Sequence, residues 1–198
     1  MVKVVPSDAV LIPEQAKCVF RGEIFDVYQW QQVLFDGSYA TFEMLRRPDT
    51  ASVMCIVDGK VIVLDEEQPN SGKRRSFPGG RVESSDADII AAAQREVLEE
   101  TGYLFNSWRL VKVWQPIKKM EWFVHLVVAW DVSGQQEVHH DPGENIVAEL
   151  LEFSEVKLLA ANKVGFIGES ADLLETVGSL EELTNLPTFS GKDLRTGV

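Results

Sequence analysis

Between Pro78 and Tyr103 the chain reads PGGRVESSDADIIAAAQREVLEETGY, with three glutamates inside five residues of a helical pattern. Ile90, Ala93, Val97 and Thr101 recur at helical spacing and predict a buried stripe. Ser84, Ser85 and Asp86 are candidate N-caps, and Gly102 stands where a C-cap glycine belongs. Glu96 is one turn from both Glu99 and Glu100, so the three carboxylates share a face. Like charges at that spacing cost a helix roughly 0.2–0.5 kcal/mol per pair, and Arg95 is the sole cation nearby. Carboxylate oxygens are hard ligands, so Mg²⁺, with Mn²⁺ as the substitute, is the natural counter-charge. A solvated acidic helix is the plainer alternative. Pro78-Gly79-Gly80 argues against it, because a glycine turn lets backbone approach a ligand closely. The Gly79 carbonyl then joins Glu96, Glu99 and Glu100 as a candidate metal ligand.

These residues resemble the signature of the Nudix hydrolases, G-x5-E-x7-R-E-U-x-E-E-x-G-U, where U is apolar. Arg95, Glu96, Val97, Glu99, Glu100, Gly102 and Tyr103 match its second half without a gap, and Gly80 matches its opening glycine. Counting forward from Gly80 puts the family's first acid at Asp86, whereas counting back from Arg95 puts it at Ala87. One residue is therefore extra, and it is expected in the loop before the helix.

Composition fits such a protein. A length of 198 residues suits one domain with extensions. A net charge of −12 argues against a nucleic-acid partner, since neutralising phosphates needs a basic surface. No apolar run approaches the length of a membrane span, and MVKVVPSDAVLIPEQ lacks the apolar stretch of a signal peptide. Cys18 and Cys55 lack metal-ligand spacing and read as reduced thiols. A cytoplasmic protein without a membrane partner is expected. Arg46-Arg47, Lys73-Arg74-Arg75 and Lys118-Lys119 are basic clusters that ordinarily sit in solvent. The second precedes the glycine turn, which makes Arg75 a candidate for substrate phosphate.

Along the chain, strand-like stretches fill Val19 to Leu34 and Tyr39 to Arg46, around the turn signal Asp36-Gly37. Ser52 to Val57 and Val61 to Leu64 flank a second signal, Asp58-Gly59. Glu66 to Phe77 reads as a polar loop, Trp108 to Gln115 and Trp122 to Trp130 as strands, and Ser133 to Asn145 as a second polar loop. A strand over Ile146 to Phe153, a helix from Ser154 and short helices around Leu173–Val177 and Leu180–Leu183 follow. Mixed strands with a central and a later helix predict an α/β/α sandwich, the fold that the resemblance also implies. The expected division is a β-rich extension over 1–50, a core over 51–162 and a helical tail over 163–198.

The extension is similar to that of the ADP-ribose and nucleoside-diphosphate-sugar pyrophosphatases, where it commonly builds a homodimer. T-F-E-M-L-R-R-P at Thr41 to Pro48, which contains Arg47, is similar to the strand leading into their core. Gln68 resembles a glutamine that precedes their substrate loop, although the chain continues Pro69-Asn70 where they carry Tyr-Arg. Arg47 and Gln68 thus join Arg75 as substrate-binding candidates. The implied reaction is metal-dependent hydrolysis of a nucleoside diphosphate linked to ribose or a sugar, giving a nucleoside monophosphate and a sugar phosphate. Arg95 would hold a carboxylate in register, and Glu144, in Asp141-Pro142-Gly143-Glu144, resembles the late-loop base of that branch. Glu99 is the substitute base on the helix, while His139 and His140 are the histidine alternatives. The rivals are a nucleoside triphosphate pyrophosphatase, which the extension disfavours, and a binding regulator without turnover, which three intact glutamates disfavour.

Overall fold

The computed structural model describes residues 2–69, 72–138 and 145–195. Strand β1 (Val2–Val5) is followed by β2 (Lys17–Arg21), β3 (Asp26–Val33) and β4 (Tyr39–Arg46). Next come β5 (Thr50–Val57), β6 (Lys60–Gln68) and β7 (Gly72–Ser76), then helix α1 (Ile89–Thr101). Strands β8 (Tyr103–Trp114), β9 (Met120–Glu121), β10 (Val124–Gln135) and β11 (Asn145–Leu151) lead to α2 (Phe153–Ala161). A 3₁₀ helix (Gly165–Ser170), α3 (Ala171–Glu175), α4 (Leu180–Thr184) and β12 (Lys192–Arg195) complete the chain.

The central sheet has the order β11-β6-β5-β10-β8, with β7 paired to β6. It is mixed: β5 and β10 run parallel, and their other partners run antiparallel. Strand alternation assigns the faces. Val53, Cys55, Ile62 and Leu64 bury against Ala92, Ala93 and Val97 of α1. Met54, Val61, Val63, Leu126 and Val128 bury against Val156, Ala160, Ile167, Leu174 and Leu183 from the C-terminal helices. Full burial of one such aliphatic side chain contributes about 1.5–3 kcal/mol, several times the propensity differences that would favour other local structures. The result is the three-layer α/β/α sandwich that the sequence predicts.

Three elements differ from the sequence reading. Lys73–Ser76 lies in a strand, because Arg74 and Arg75 pair with Glu66 and Asp65 across β6. Ion pairs there replace the apolar alternation that marks a strand. Strand β10 continues to Gln135, into the expected polar loop. Strand β12 pairs antiparallel with β1, a contact between distant segments that no local pattern announces.

The N-terminal segment forms a separate sheet, β2-β3-β4-β9. Strand β9 runs parallel to β4, with Leu45 opposite Met120, and ties that sheet to the core. Val19, Phe20, Val33, Phe35, Tyr39 and Phe42 of this segment are exposed.

Candidate active site

Helix α1 carries the candidate ligands, and its ends are fixed by local chemistry. The Asp88 carboxylate accepts from the Ala91 N–H at 2.9 Å, so Asp88 is the N-cap rather than Ser84, Ser85 or Asp86. Gly102 closes the helix in the left-handed region at φ 72°, and its N–H donates to the Leu98 carbonyl. A Cβ there would lie 2.3 Å from the Gln136 carbonyl oxygen, so glycine is required for packing as well as for conformation. Ala93, Val97 and Thr101 of the predicted stripe are buried, and Ile90 is half-buried.

The glycine turn is laced to the start of β5. Val53 N–H donates to the Pro78 carbonyl at 2.7 Å, Ala51 N–H to the Gly80 carbonyl at 2.9 Å, and Val82 N–H to the Asp49 carbonyl at 2.8 Å. Among the described residues no backbone N–H donates to the Gly79 carbonyl. Gly79 has φ 146°, and a Cβ on it would meet the Ala51 carbonyl oxygen at 2.1 Å. A Cβ on Gly80 would lie 2.5 Å from the Glu96 carboxylate. The Glu100 carboxylate accepts from the Gly79 N–H at 2.7 Å. Helix and turn thus touch through two glutamates and two glycines. Buried Glu100 also reaches toward the core, where burial first and its charge second push the Cys55 thiol well above its ordinary pKa.

Arg95 organises the acidic face. Its Nη1 donates to Glu96 at 2.9 Å and to Glu99 at 3.2 Å, and its Nη2 donates to the Arg81 carbonyl at 2.9 Å. A hydrogen bond to a charged group is worth about 1.5–3 kcal/mol where shielded. Even discounted for the half-exposed Glu99, these bonds outweigh the carboxylate repulsion. Arg95 also binds Asp86 through Nε at 3.2 Å and Nη2 at 3.1 Å. The extra residue of the motif is therefore absorbed in a loop that carries Asp86 back onto Arg95. That hydrogen bond foremost holds the Asp86 carboxyl below its ordinary pKa, and Asp86 in return raises that of Arg95.

Glu96, Glu99, Glu100, Gly79, Arg95 and Arg47 line one cleft of about 630 Å³. Arg74 lines it and is gripped by the buried Glu66 through two bonds of 2.7 and 3.2 Å. Arg75, the sequence candidate, is not among the cleft's lining residues and pairs with Asp65 and Glu149. Arg47 stacks on Trp122, 4.6 Å from the ring centroid, and on Phe25 at 5.6 Å. Its Nε is buried without a hydrogen-bond partner among the described residues. Burial foremost, then the charge of Arg81, lowers its pKa, and Asp49 opposes them. Two guanidiniums that repel each other in an acidic cleft form a place for an anion. The backbone of Gln68 ends β6, while Glu144, His139 and His140 lie outside the described residues. Sequence reasoning singled out the Lys73–Arg75 run but settled on Arg75 where Arg74 lines the cleft, and it missed Arg81, Trp122 and Phe166. Only their aromatic or basic character could have drawn notice, and none carries a motif.

In ligand type, three carboxylates and a backbone carbonyl around one glycine turn fit a hard divalent cation. Among the described residues no three His, Cys, Asp or Glu side chains are gathered closely enough to hold one as they stand. Glu96 and Glu99 are turned to Arg95 instead. No described helix is long and apolar enough to cross a membrane.

Comparison with known proteins accords with this geometry. Residues 46–169, more than half of the chain, match the NUDIX domain. An ADP-ribose pyrophosphatase of Bacillus subtilis (strain 168) is 28% identical over 97 residues, covering 48% of this chain and 51% of the relative. An uncharacterized Nudix hydrolase, NudL, of Citrobacter koseri is 35% identical over 77 residues, 39% of either chain. The chain thus spans about half or less of the length of these curated relatives. A solved structure described as an ADP compounds hydrolase superposes with a TM-score of 0.68 at 20% identity, covering 87% of this chain and 93% of that one. In fold, in glycine turn and in acidic helix, the chain belongs to the Nudix family.

Proposed function

We propose that the protein hydrolyses the pyrophosphate bond of a nucleoside diphosphate linked to ribose or a sugar, ADP-ribose being the leading candidate. Nucleoside monophosphate and a sugar phosphate are the products. The observation that carries this reading is the meeting, in one cleft, of Glu96, Glu99 and Glu100 with the guanidinium of Arg47 beside Arg81. The relative named an ADP-ribose pyrophosphatase supports the choice of substrate.

Glu96, Glu99, Glu100 and the Gly79 carbonyl would hold Mg²⁺ or Mn²⁺, which when bound neutralises pyrophosphate charge and acidifies water. The chain's own residues do the rest. Arg47 and Arg81 attract the diphosphate, and the Glu66 grip holds the Arg74 guanidinium at the cleft wall. Gln68 and Arg75 are secondary candidates for substrate contact. Arg95 keeps Glu96 and Glu99 in register from a helix whose turn partner, Gly80, leaves no space between them. Glu144 is the proposed general base, taking the proton of the attacking water, with Glu99 its substitute. The free Cys18 and Cys55 suit a cytoplasmic setting.

The test is a panel of ADP-ribose, nucleoside-diphosphate sugars and nucleoside triphosphates with Mg²⁺, scored for monophosphate. Release of nucleoside monophosphate from ADP-ribose or a diphosphate sugar is expected. Turnover of triphosphates alone would overturn the assignment.

A further inference from the structure

Phe166 reaches the cleft from the C-terminal segment, far in sequence from the acidic helix. Its position is built. Gly165 sits at φ 48°, and a Cβ there would meet the Arg75 carbonyl oxygen at 2.7 Å, so the 3₁₀ helix presses onto β7. Ile167 on the other side is fully buried in the core. Between these two anchors Phe166 remains 39% exposed. A large aromatic ring held at the rim of a charged cleft presents apolar surface to whatever enters it.

Its neighbour is Trp122, edge to face at 6.2 Å and 82°. The Trp122 indole N–H donates to Thr50 Oγ1 at 3.0 Å, which fixes that ring. Ile24 and Val124 add apolar lining. The contacts run onward in order. Trp122 carries Arg47 on its face, Arg47 is repelled by Arg81, and the Arg81 carbonyl binds Arg95 beside Glu96. A diphosphate held by the two arginines therefore has carboxylates toward one end and the aromatic pair toward the other.

We propose that Phe166, backed by Trp122, stacks on the nucleobase of the substrate and sets the preference for nucleoside diphosphates over pyrophosphates without a base. This rests on the function proposed above and names the group that would fix substrate class. It also makes the C-terminal segment part of the active site.

Calorimetry on the full chain with Mg²⁺ tests it, using AMP and ribose 5-phosphate as probes. Wild type should bind AMP more tightly than ribose 5-phosphate. Phe166→Ala should weaken AMP about tenfold, as loss of one base–aromatic stack does, and leave ribose 5-phosphate unchanged. Phe166→Trp should restore AMP binding. In turnover, Phe166→Ala should raise KM for ADP-ribose by a similar factor with kcat little changed. Equal wild-type affinity for the two probes, unchanged AMP affinity in Phe166→Ala, or equal losses for both probes would each overturn the proposal. A change in oligomeric state without a change in AMP affinity would mark Phe166 as a protein contact instead and overturn it too. If the AMP result holds while wild type cleaves no pyrophosphate, the proposed reaction fails and the stacking site stands.

Discussion

Arg95 grips Asp86 across nine residues, with Nε and Nη2 at 3.2 and 3.1 Å from the two carboxylate oxygens. The same guanidinium holds Glu96 and Glu99, so loop and acidic face are set by one side chain. Asp86→Ala should cost about 1–3 kcal/mol, because it leaves a largely shielded guanidinium short of a partner. It should lower kcat more than it raises KM, as Arg95 swings away from Glu96. The depressed Asp86 pKa means that its contribution is complete above the ordinary carboxylate value near 4 and is lost as pH falls below it. Thermal melts of wild type and Asp86→Ala should therefore converge in acid.

Gly80 offers a separate test of the turn. Gly80→Ala would place a Cβ 2.5 Å from the Glu96 carboxylate, which must then move. Activity should fall by at least about tenfold and the Mg²⁺ requirement should rise, with a melting temperature close to wild type. Gly79→Ala should behave differently. At φ 146° and 2.1 Å from the Ala51 oxygen its Cβ meets backbone that cannot yield, so a loss of about 1–3 kcal/mol in stability is expected. Kinetics beside denaturant titration separates the two.

The sequence alone disclosed the acidic helix, its buried stripe and the apolar runs of β5 and β6 on either side of Asp58-Gly59, since each is a local pattern that burial enforces. It was silent where local period and structure part. Charged Lys73–Ser76 forms a strand through ion pairs. Because adjacent strand residues point to opposite faces, the run could not say which arginine meets the cleft, and Arg74 does so while Arg75 turns to Asp65 and Glu149. Asp88 displaced the earlier caps because the extra loop residue gave Asp86 to Arg95. Phe166 gives no local signal, since tertiary packing of Gly165 and Ile167 decides where it goes.

Glu144 carries the proposed base. Glu144→Gln should lower kcat by about 10²–10⁴-fold with KM little changed and the Mg²⁺ dependence intact. A pH–rate profile of the variant checks the role: near-native kcat at every pH would transfer it to a helix carboxylate, Glu99 first.

Assembly should use the N-terminal sheet. Phe20, Tyr39 and Phe42 are exposed on β2 and β4, in a small four-stranded sheet. A homodimer at micromolar concentration is expected by light scattering, and Phe20→Glu with Tyr39→Glu should shift it to monomer. A wild-type monomer would contradict this.

Turnover of ADP-ribose by wild type and Glu100→Gln across an Mg²⁺ titration tests the central claim most directly. The side-chain amide of the variant can still accept from the Gly79 N–H through its oxygen, so the fold should hold and circular dichroism should match wild type. The account predicts Mg²⁺-dependent release of AMP by wild type and a loss of at least about 10²-fold in the variant, incompletely rescued by more metal. Near-native kcat for Glu100→Gln at saturating Mg²⁺ would contradict it.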